Sequence, residues 1–289
     1  MKQLYWLVFL LGSLSVTAQL PKTDKKLQVQ VQQLLTGFHG DVGVYIKNLR
    51  TGKTVAINAD TLFPTASMVK IPILIGIMDK IKRGEYSYHQ ELTYKDSLLY
   101  AGSDILGSFK NNETIELSKV IMLMLTTSDN TASLWLQSLA GTGTRINTIL
   151  DSLGCKDTRV NSRTPGREGN RSQYGWGQTT PAEMALLLEK IYNRQVLSDS
   201  LDAQMLRLLG RNYWDEQAIG QIPPHIFVAS KNGAVDASRS EVLLVMAPRN
   251  PYLFCICTKN NQDKSWENNN EAWALAQKLS KLLWGYYGN

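Results

Sequence analysis

The two end portions of the chain show the short apolar runs, separated by turn residues, that strands produce. Residues 41–60 are predicted to form a hairpin, because two strand-like runs flank the turn Arg50-Thr51-Gly52-Lys53. Further strand-like runs lie at 226–229, 241–247 and 252–258. Helices are predicted outside these strands, over residues 20–36 and from about 271 to 286.

The middle of the chain, from about residue 67 to 209, has apolar residues three and four positions apart, which predicts helices joined by loops. One helix start is well marked. Thr180 is the predicted N-cap, Pro181 takes the first helical position, and Glu183 is predicted to complete a capping box.

This order of elements predicts a mixed α/β (α+β) fold, in which an antiparallel sheet is flanked by the terminal helices and an all-helical lobe is inserted. The sheet lobe is expected from residues 19–64 and 206–289, and the helical lobe from 65–205. With 289 residues, of which 43% are hydrophobic, the chain has enough apolar material for a substantial core.

The N-terminus has the layout of a secretory signal peptide. Lys2 supplies the positive start, residues 4–14 are almost wholly apolar, and Val16-Thr17-Ala18 offers small residues for cleavage. The apolar stretch is shorter than the roughly 20 residues of a spanning helix, so cleavage after Ala18 is predicted rather than a retained anchor. We expect an exported protein, periplasmic or secreted, with no membrane span after cleavage.

Charge and histidine content narrow the function further. Lys plus Arg is 31 and Asp plus Glu is 25, but the net charge of +6 is spread thinly, so no nucleic-acid partner is expected. The histidines His39, His89 and His225 lie far apart, which excludes the short His-rich metal motifs. No metal or organic cofactor is implied, and a monomer is expected.

Cysteine usage gives no sign of a disulfide framework. Cys255 and Cys257 are two residues apart in an apolar run that reads as a buried strand, where they are poorly placed to bridge. Buried free thiols are therefore predicted.

The first candidate for chemistry is a serine one helical turn before a lysine. Ser67 and Lys70 stand three residues apart at the start of an apolar stretch, so they share one face of a helix. A serine hydroxyl needs a neighbouring base, and desolvation favours the neutral amine of a lysine, which makes it a usable base. The alternative is a lysine extending from a core helix beside an ordinary N-cap serine.

Two further clusters accompany this pair. Ser128-Asp129-Asn130 lies between two apolar helices, where a hydroxyl, a carboxylate and an amide require hydrogen-bond partners. Lys231-Asn232-Gly233 follows the strand-like run at 226–229; its cation suits a substrate carboxylate, and glycine permits close backbone approach. Helix capping and a plain hairpin turn are the respective alternatives.

These three motifs, in this order, resemble those of the class A β-lactamases and their penicillin-recognising serine relatives. The resemblance covers nearly all of the chain after residue 18 and extends to residues 102–106, 157–159, 179–181 and 239–242. It implies a β-lactamase/transpeptidase-like fold and a serine hydrolase that opens β-lactam rings through an acyl-enzyme.

The resemblance also implies a role for each residue. Ser67 would attack the carbonyl, Lys70 would act as base or assist, Ser128 would pass a proton to the leaving nitrogen, and Asn130 would hold the acyl side chain. Lys231 would orient Ser128 and attract the substrate carboxylate.

Further roles concern the residues after Lys231. The backbone N–H groups of Ser67 and Ala234 would form the oxyanion hole, next to Gly233. Arg239 is a candidate second contact to the carboxylate. Asn232 replaces the family's hydroxyl at this motif position, and its amide would donate to the carboxylate with altered geometry.

A second departure concerns hydrolysis of the acyl-enzyme. Class A enzymes carry a glutamate that activates water, but an ungapped match places Thr164 at that position. Glu168 is the nearby candidate for this role, and an exposed loop glutamate is its alternative. Without such a base the acyl-enzyme would persist or hydrolyse slowly.

Three hypotheses follow. The first is a β-lactamase acting on small-molecule β-lactams. The second keeps the acylation machinery but acts on cell-wall peptides or other esters and amides. The third, from another class, is a non-catalytic module that binds a cell-wall fragment or senses penicillin.

Overall fold

The computed structural model describes residues 22–102 and 104–288. The predicted signal peptide and its cleavage site lie outside the described residues. Within those two ranges, no helix is long and apolar enough to cross a membrane.

The described chain is built from alternating short strands and helices. The strands are β1 (Asp41–Asn48), β2 (Thr54–Ile57), β3 (Phe63–Pro64), β4 (Glu91–Thr93), β5 (Thr114–Glu116), β6 (Arg159–Val160), β7 (Gly177–Thr179), β8 (Val228–Val235), β9 (Ser238–Val245) and β10 (Tyr252–Lys259). The α-helices are α1 (Lys25–Leu35), α2 (Lys70–Lys82), α3 (Leu117–Thr126), α4 (Asn130–Leu139), α5 (Thr142–Ser152), α6 (Glu168–Tyr174), α7 (Pro181–Tyr192), α8 (Asp199–Leu209) and α9 (Glu271–Tyr287).

A five-stranded antiparallel sheet organises the molecule, in the order β2-β1-β10-β9-β8. The predicted hairpin is therefore confirmed as β1 and β2, and β10 from the end of the chain pairs with β1. β8 lies at one edge of this sheet, so one side of its backbone pairs with no further strand of the sheet.

Both faces of the sheet are covered by helices, so the strands are apolar on both sides. On one face, Leu27 of α1 and Leu279 of α9 belong to a buried cluster with Leu243 of β9. On the other face, Val242 of β9 belongs to a second cluster with residues of the helices between α2 and α8. The mixed α/β fold with terminal helices beside an antiparallel sheet is thus confirmed; the lobe boundaries at 65 and 205 stay predictions.

Helix α2 forms the centre of the helical layer. All of its residues from Lys70 to Asp79 are buried, as expected for a helix that is apolar on every side. It contacts α4 and α5, and its first residue, Lys70, thereby lies inside the protein.

Two local predictions need correction. Helix α7 begins at Pro181 and the Thr180 hydroxyl accepts from Glu183 N, but the capping box is wrong. The Glu183 carboxylate instead accepts from the backbone N–H groups of residues 156–158, at 2.5–3.1 Å. Several charge-assisted bonds to otherwise unpaired donors outweigh the single bond of a capping box.

The second correction concerns the strand near Lys231. The predicted run at 226–229 begins too early, because Ile226 N closes a turn onto Pro223 O. β8 instead spans Val228–Val235 and pairs with β9 over its whole length. Lys231, Asn232 and Gly233 therefore lie within the edge strand and not in a turn after it.

Cys255 and Cys257 are free and buried, as predicted, and Cys155 is also free and buried. The Sγ atoms of Cys255 and Cys257 are 3.6 Å apart, which is a non-bonded contact and too long for a disulfide bond.

Candidate active site

Ser67 lies in a 3-10 helix, Ala66–Val69, that leads directly into α2. Ala66 has φ of 43°, in the left-handed region that is unfavourable for a residue with a Cβ. Backbone bonds join Thr65 N to Gly177 O at 2.9 Å and Met68 N to Thr65 O at 3.0 Å. These contacts hold a sharp turn immediately before the serine.

Lys70 is completely buried and its Nζ lies between two serine hydroxyls. Nζ is 3.0 Å from Ser67 Oγ and 2.9 Å from Ser128 Oγ, and it also reaches Ser128 O at 2.5 Å and Asn130 Oδ1 at 3.0 Å. Burial, followed by the positive charge of Lys231, holds the Lys70 pKa well below its ordinary value, although Asp129 opposes this. A neutral amine within hydrogen-bond distance of a serine hydroxyl is a competent base.

The segment Ser128-Asp129-Asn130 is fixed by its central carboxylate. Asp129 caps α4 by accepting from Ala132 N at 2.7 Å, and its other oxygen accepts from Ile105 N at 2.5 Å and Leu106 N at 3.0 Å. Capping therefore applies to Asp129, while the side chains on either side of it reach Lys70. Ser128 has φ of 62°, a left-handed conformation that turns the chain at this point.

The edge strand β8 closes the other side of the nucleophile. A Cβ added to Gly233 would lie 2.5 Å from Thr65 O and 2.7 Å from Ser67 N, so only glycine permits this approach. It brings the backbone at Gly233 and Ala234 beside Ser67 N.

Lys231 is fully buried, and burial lowers its pKa to about 7, against the opposing charge of Glu241. Its Nζ donates to Asn232 O at 2.9 Å and Asn232 Oδ1 at 3.1 Å. Within the described residues Nζ has no hydrogen bond to Ser128, so its action on Ser128 stays a prediction.

Comparison with known proteins agrees with this geometry. A model of the family described as the beta-lactamase enzyme family matches residues 26–287. The chain belongs to this family.

Individual relatives are distant but cover nearly the whole chain. Beta-lactamase VEB-1 of Pseudomonas aeruginosa is 25% identical over 281 residues, which is 93% of this chain and 92% of that protein. The structure of PBP-A aligns with a TM-score of 0.81 at 23% identity, covering 92% of this chain and 98% of that one. TLA-1 extended-spectrum beta-lactamase has the same TM-score at 18% identity, covering 92% and 99%. A mutant of PBP-A has been solved as an acyl-enzyme complex with penicillin-G.

Two cavities meet at Ser67 in this β-lactamase family member. One, of about 550 Å³, is lined by Tyr100 and by residues 173–176, just before β7. The other, of about 590 Å³, is lined by Ser128 and Asn232. Ser67, Asn130 and Ala234 line both cavities. We name them the loop-side cavity and the Ser128-side cavity.

Arg239 lies apart from both cavities. Its guanidinium donates to the carbonyl oxygens of Val235, Ser238 and Ser265, and it lies over the rings of Trp266 and Trp273, with its central carbon 4.4 and 4.8 Å from their centroids. These contacts occupy the charged group, and its role as a carboxylate contact stays a prediction.

Glu168 also lies outside both linings. It is exposed at the start of α6, and its Oε1 accepts from Gly166 N at 3.1 Å. The inward position belongs to Arg167, which donates to Gln178 Oε1 at 2.8 Å and Asn161 Oδ1 at 3.0 Å. Thr164 is buried, and its hydroxyl donates to Ser162 O at 2.9 Å. Neither Glu168 nor Thr164 lines a cavity at Ser67.

Sequence reasoning missed several groups that complete the site. Asn212 donates to Ser230 Oγ at 3.0 Å and approaches Asn232 Oδ1 at 3.5 Å. Trp214, Trp266 and Trp273 line the Ser128-side cavity. Trp266 and Trp273 lie close together around the start of α9, whereas Trp214 comes from a distant segment, and no local pattern links it to them. Glu241 did carry a signal, as a carboxylate within an apolar strand.

Proposed function

We propose that this protein opens β-lactam rings through an acyl-enzyme on Ser67. The observation that carries the proposal is the position of Lys70 Nζ, 3.0 Å from Ser67 Oγ and 2.9 Å from Ser128 Oγ. Lys70 takes the hydroxyl proton as Ser67 Oγ attacks the lactam carbonyl carbon. The backbone N–H groups of Ser67 and Ala234 stabilise the negative charge on the carbonyl oxygen.

Ring opening then requires a proton at the leaving nitrogen. The proton passes from Lys70 to Ser128 Oγ, and the Ser128 hydroxyl gives its own proton to the nitrogen as the C–N bond breaks. The leaving group therefore occupies the Ser128-side cavity, and the acyl side chain occupies the loop-side cavity beside Asn130. Lys231 and Asn232 attract the substrate carboxylate.

Hydrolysis of the ester by water completes the reaction, releasing the ring-opened acid and restoring the Ser67 hydroxyl. This step is expected to be slow, because Glu168, the candidate base in the sequence, is exposed and lines neither cavity at Ser67. The N-terminal pattern supports export to a periplasm or to the medium as the setting of the reaction.

A second candidate is a peptidase-like enzyme that uses the same acylation machinery on cell-wall peptides. It is favoured by one observation: among the described residues that line the loop-side cavity there is no carboxylate. Without a base near the ester, a persistent adduct with penicillin is the expected behaviour.

An intact-mass time course of the mature protein with excess benzylpenicillin tests the proposal, with Ser67→Ala as the control. We expect an adduct of one penicillin mass on the wild type and none on Ser67→Ala. Turnover of many equivalents would establish a β-lactamase, and a stable adduct would favour the peptidase-like candidate. If the wild type shows neither adduct nor turnover, the proposal is wrong.

A further inference from the structure

The Ser128-side cavity is larger than the capture of a carboxylate requires. Its volume of about 590 Å³ is comparable to that of the loop-side cavity, about 550 Å³. Both are in the range, roughly 300–1,000 Å³, of pockets that bury drug-sized ligands. The wall of the Ser128-side cavity includes the side chains of Trp214, Trp266 and Trp273. We name these three residues the aromatic wall.

Trp214 is anchored close to the proton-relay serine. Its indole Nε1 donates to Thr127 O at 3.0 Å, and the preceding Tyr213 N donates to Thr126 O at 3.0 Å. Both acceptors lie at the C-terminal end of α3, directly before Ser128. Trp214 is nevertheless 43% exposed. The ring is thus held by its edge while part of its surface stays open.

Trp266 is held in a similar way by a different part of the chain. Its Nε1 donates to Asp236 Oδ1 at 3.0 Å, and the Arg239 guanidinium lies 4.4 Å from the ring centroid. Trp273 meets it edge-on, with the centroids 5.9 Å apart. Trp266 is still 58% exposed. An exposed apolar ring fixed in one orientation beside a nucleophile is typical of a binding surface.

We infer that the aromatic wall binds a flat, uncharged aromatic ring carried on the leaving-group side of a β-lactam substrate. The inference rests on the proposed function, in which the leaving nitrogen faces Ser128. The indole N–H groups of Trp214 and Trp266 are already bonded to protein oxygens, so these rings offer a ligand mainly their π-faces. Arg239 already places a positive charge against Trp266 and Trp273, which favours a neutral ring over a cationic one.

The test uses two cephalosporins with the same thienylacetyl acyl side chain. One carries a dinitrostyryl ring at C3, on the leaving-group side, and the other carries an acetoxymethyl group. The second-order rate constant for acylation of Ser67 is measured for each by rapid quench and intact mass, which requires no turnover. Trp214→Ala should lower the ratio of the two constants, dinitrostyryl over acetoxymethyl, by about 3- to 10-fold. Trp214→Phe, which keeps a ring, should restore most of that ratio.

Tyr100→Ala is the matched control, because Tyr100 is an aromatic side chain of the loop-side cavity. Since the acyl side chains are identical, it should change both constants by the same factor and leave the ratio unaltered. Trp266→Ala should move the ratio in the same direction as Trp214→Ala. Near-ultraviolet circular dichroism verifies that each variant is folded.

The outcomes separate the inference from the proposed function. If the wild type is acylated by both compounds but Trp214→Ala leaves their ratio unchanged, the aromatic wall is not a subsite and the proposed function stands. If neither compound acylates Ser67 in the wild type, the proposed function fails and the subsite fails with it.

Discussion

Gly233 is the residue at which the geometry of the candidate site is most sensitive. A methyl group there would lie 2.5 Å from Thr65 O and 2.7 Å from Ser67 N, and both are backbone atoms that cannot rotate away. Gly233→Ala should therefore push the 3-10 helix away from β8 and move Ser67 N out of the oxyanion hole that we propose. We expect acylation by benzylpenicillin to slow by about 100-fold, measured by intact mass.

Gly285→Ala is the control for this substitution. Gly285 lies in α9, and its added Cβ would meet no atom within 4 Å. The protein should keep its acylation rate and gain about 0.5–1 kcal/mol in the free energy of unfolding. An unchanged rate in Gly233→Ala would show that the close approach of β8 to Ser67 has no part in acylation.

Glu241 makes a second prediction at the residue scale, because burial raises its pKa from an ordinary 4.5 to about 7. Between these pH values the folded protein holds a proton that the unfolded chain has released. Stability therefore falls as pH rises through this window, by on the order of 3 kcal/mol. Glu241→Gln, which carries no charge and keeps an oxygen to accept from Ala218 N, should lose this fall.

Urea denaturation at pH 4.5 and pH 8 measures the effect. The stability of Glu241→Gln relative to wild type should increase between the two pH values. Glu267→Gln removes the same charge from an exposed position and corrects for net charge. If the wild type and Glu241→Gln change in parallel, Glu241 ionises in the folded protein as it does in the unfolded chain.

At the scale of elements, one carboxylate connects the start of α4 with the backbone of residues 105 and 106. Asp129 accepts from three backbone N–H groups, those of Ile105, Leu106 and Ala132. Asp129→Ala should cost about 2–4 kcal/mol, since it removes a helix cap and leaves buried donors unpaired. It should also slow acylation at least about 10-fold, because Ser128 and Asn130 lose their shared support.

Asp202→Ala is matched to that change. Asp202 is also fully buried, and its carboxylate accepts from Val196 N at 2.8 Å and Leu197 N at 3.0 Å, but it serves α8. We expect a comparable loss of stability with acylation per folded molecule unchanged. If Asp129→Ala lowers stability while the acylation rate stays at the wild-type value, Asp129 has a structural role alone.

Elements with strong local patterns could be predicted from the sequence, and those that depend on distant partners could not. Helix α2 was recognisable because residues 71–78 are apolar on every side of the helix, and α7 because Thr180 and Pro181 mark its start. The start of β8 was misplaced because pairing with β9 decides its length. Glu183 was wrongly assigned to a capping box for the same reason. Its carboxylate oxygens accept from backbone N–H groups of residues 156 and 158, more than twenty residues away in the chain.

The candidate site shows the same division. Ser67 and Lys70 are one helical turn apart, so their contact follows from sequence spacing, and the motif order brought Ser128 and Asn130 to the same place. The aromatic wall depends on how the segment that contains Trp214 meets the start of α9, which no sequence spacing encodes. Arg239 was expected at the substrate, and that role stays a prediction; its guanidinium donates to Ser265 O and lies over Trp266 and Trp273, groups that only the folded chain brings near it.

At the scale of the whole molecule, the fold does not by itself determine the function. Proteins named beta-lactamase and PBP-A align with this chain with the same TM-score of 0.81. Similarity of fold alone gives no information on how long an acyl-enzyme on Ser67 would last. That lifetime depends on whether a base activates water beside the ester, and the segment between β6 and β7 is where the family glutamate was expected.

The lifetime of the acyl-enzyme thus provides the last prediction. A general base contributes typically 10²–10⁴-fold, so loss of the true base would lengthen the lifetime by at least about 100-fold. Glu168 is exposed and bonded to Gly166 N within its own loop, while Arg167 occupies the inward position. We therefore expect Glu168→Gln to change the lifetime of the benzylpenicillin adduct by less than about twofold, followed by intact mass after removal of free penicillin. Glu216→Gln is the comparison, because Glu216 supplies a carboxylate to the described lining of the Ser128-side cavity. A lifetime at least about 100-fold longer in Glu168→Gln would show that the loop rearranges after acylation and brings Glu168 to the ester.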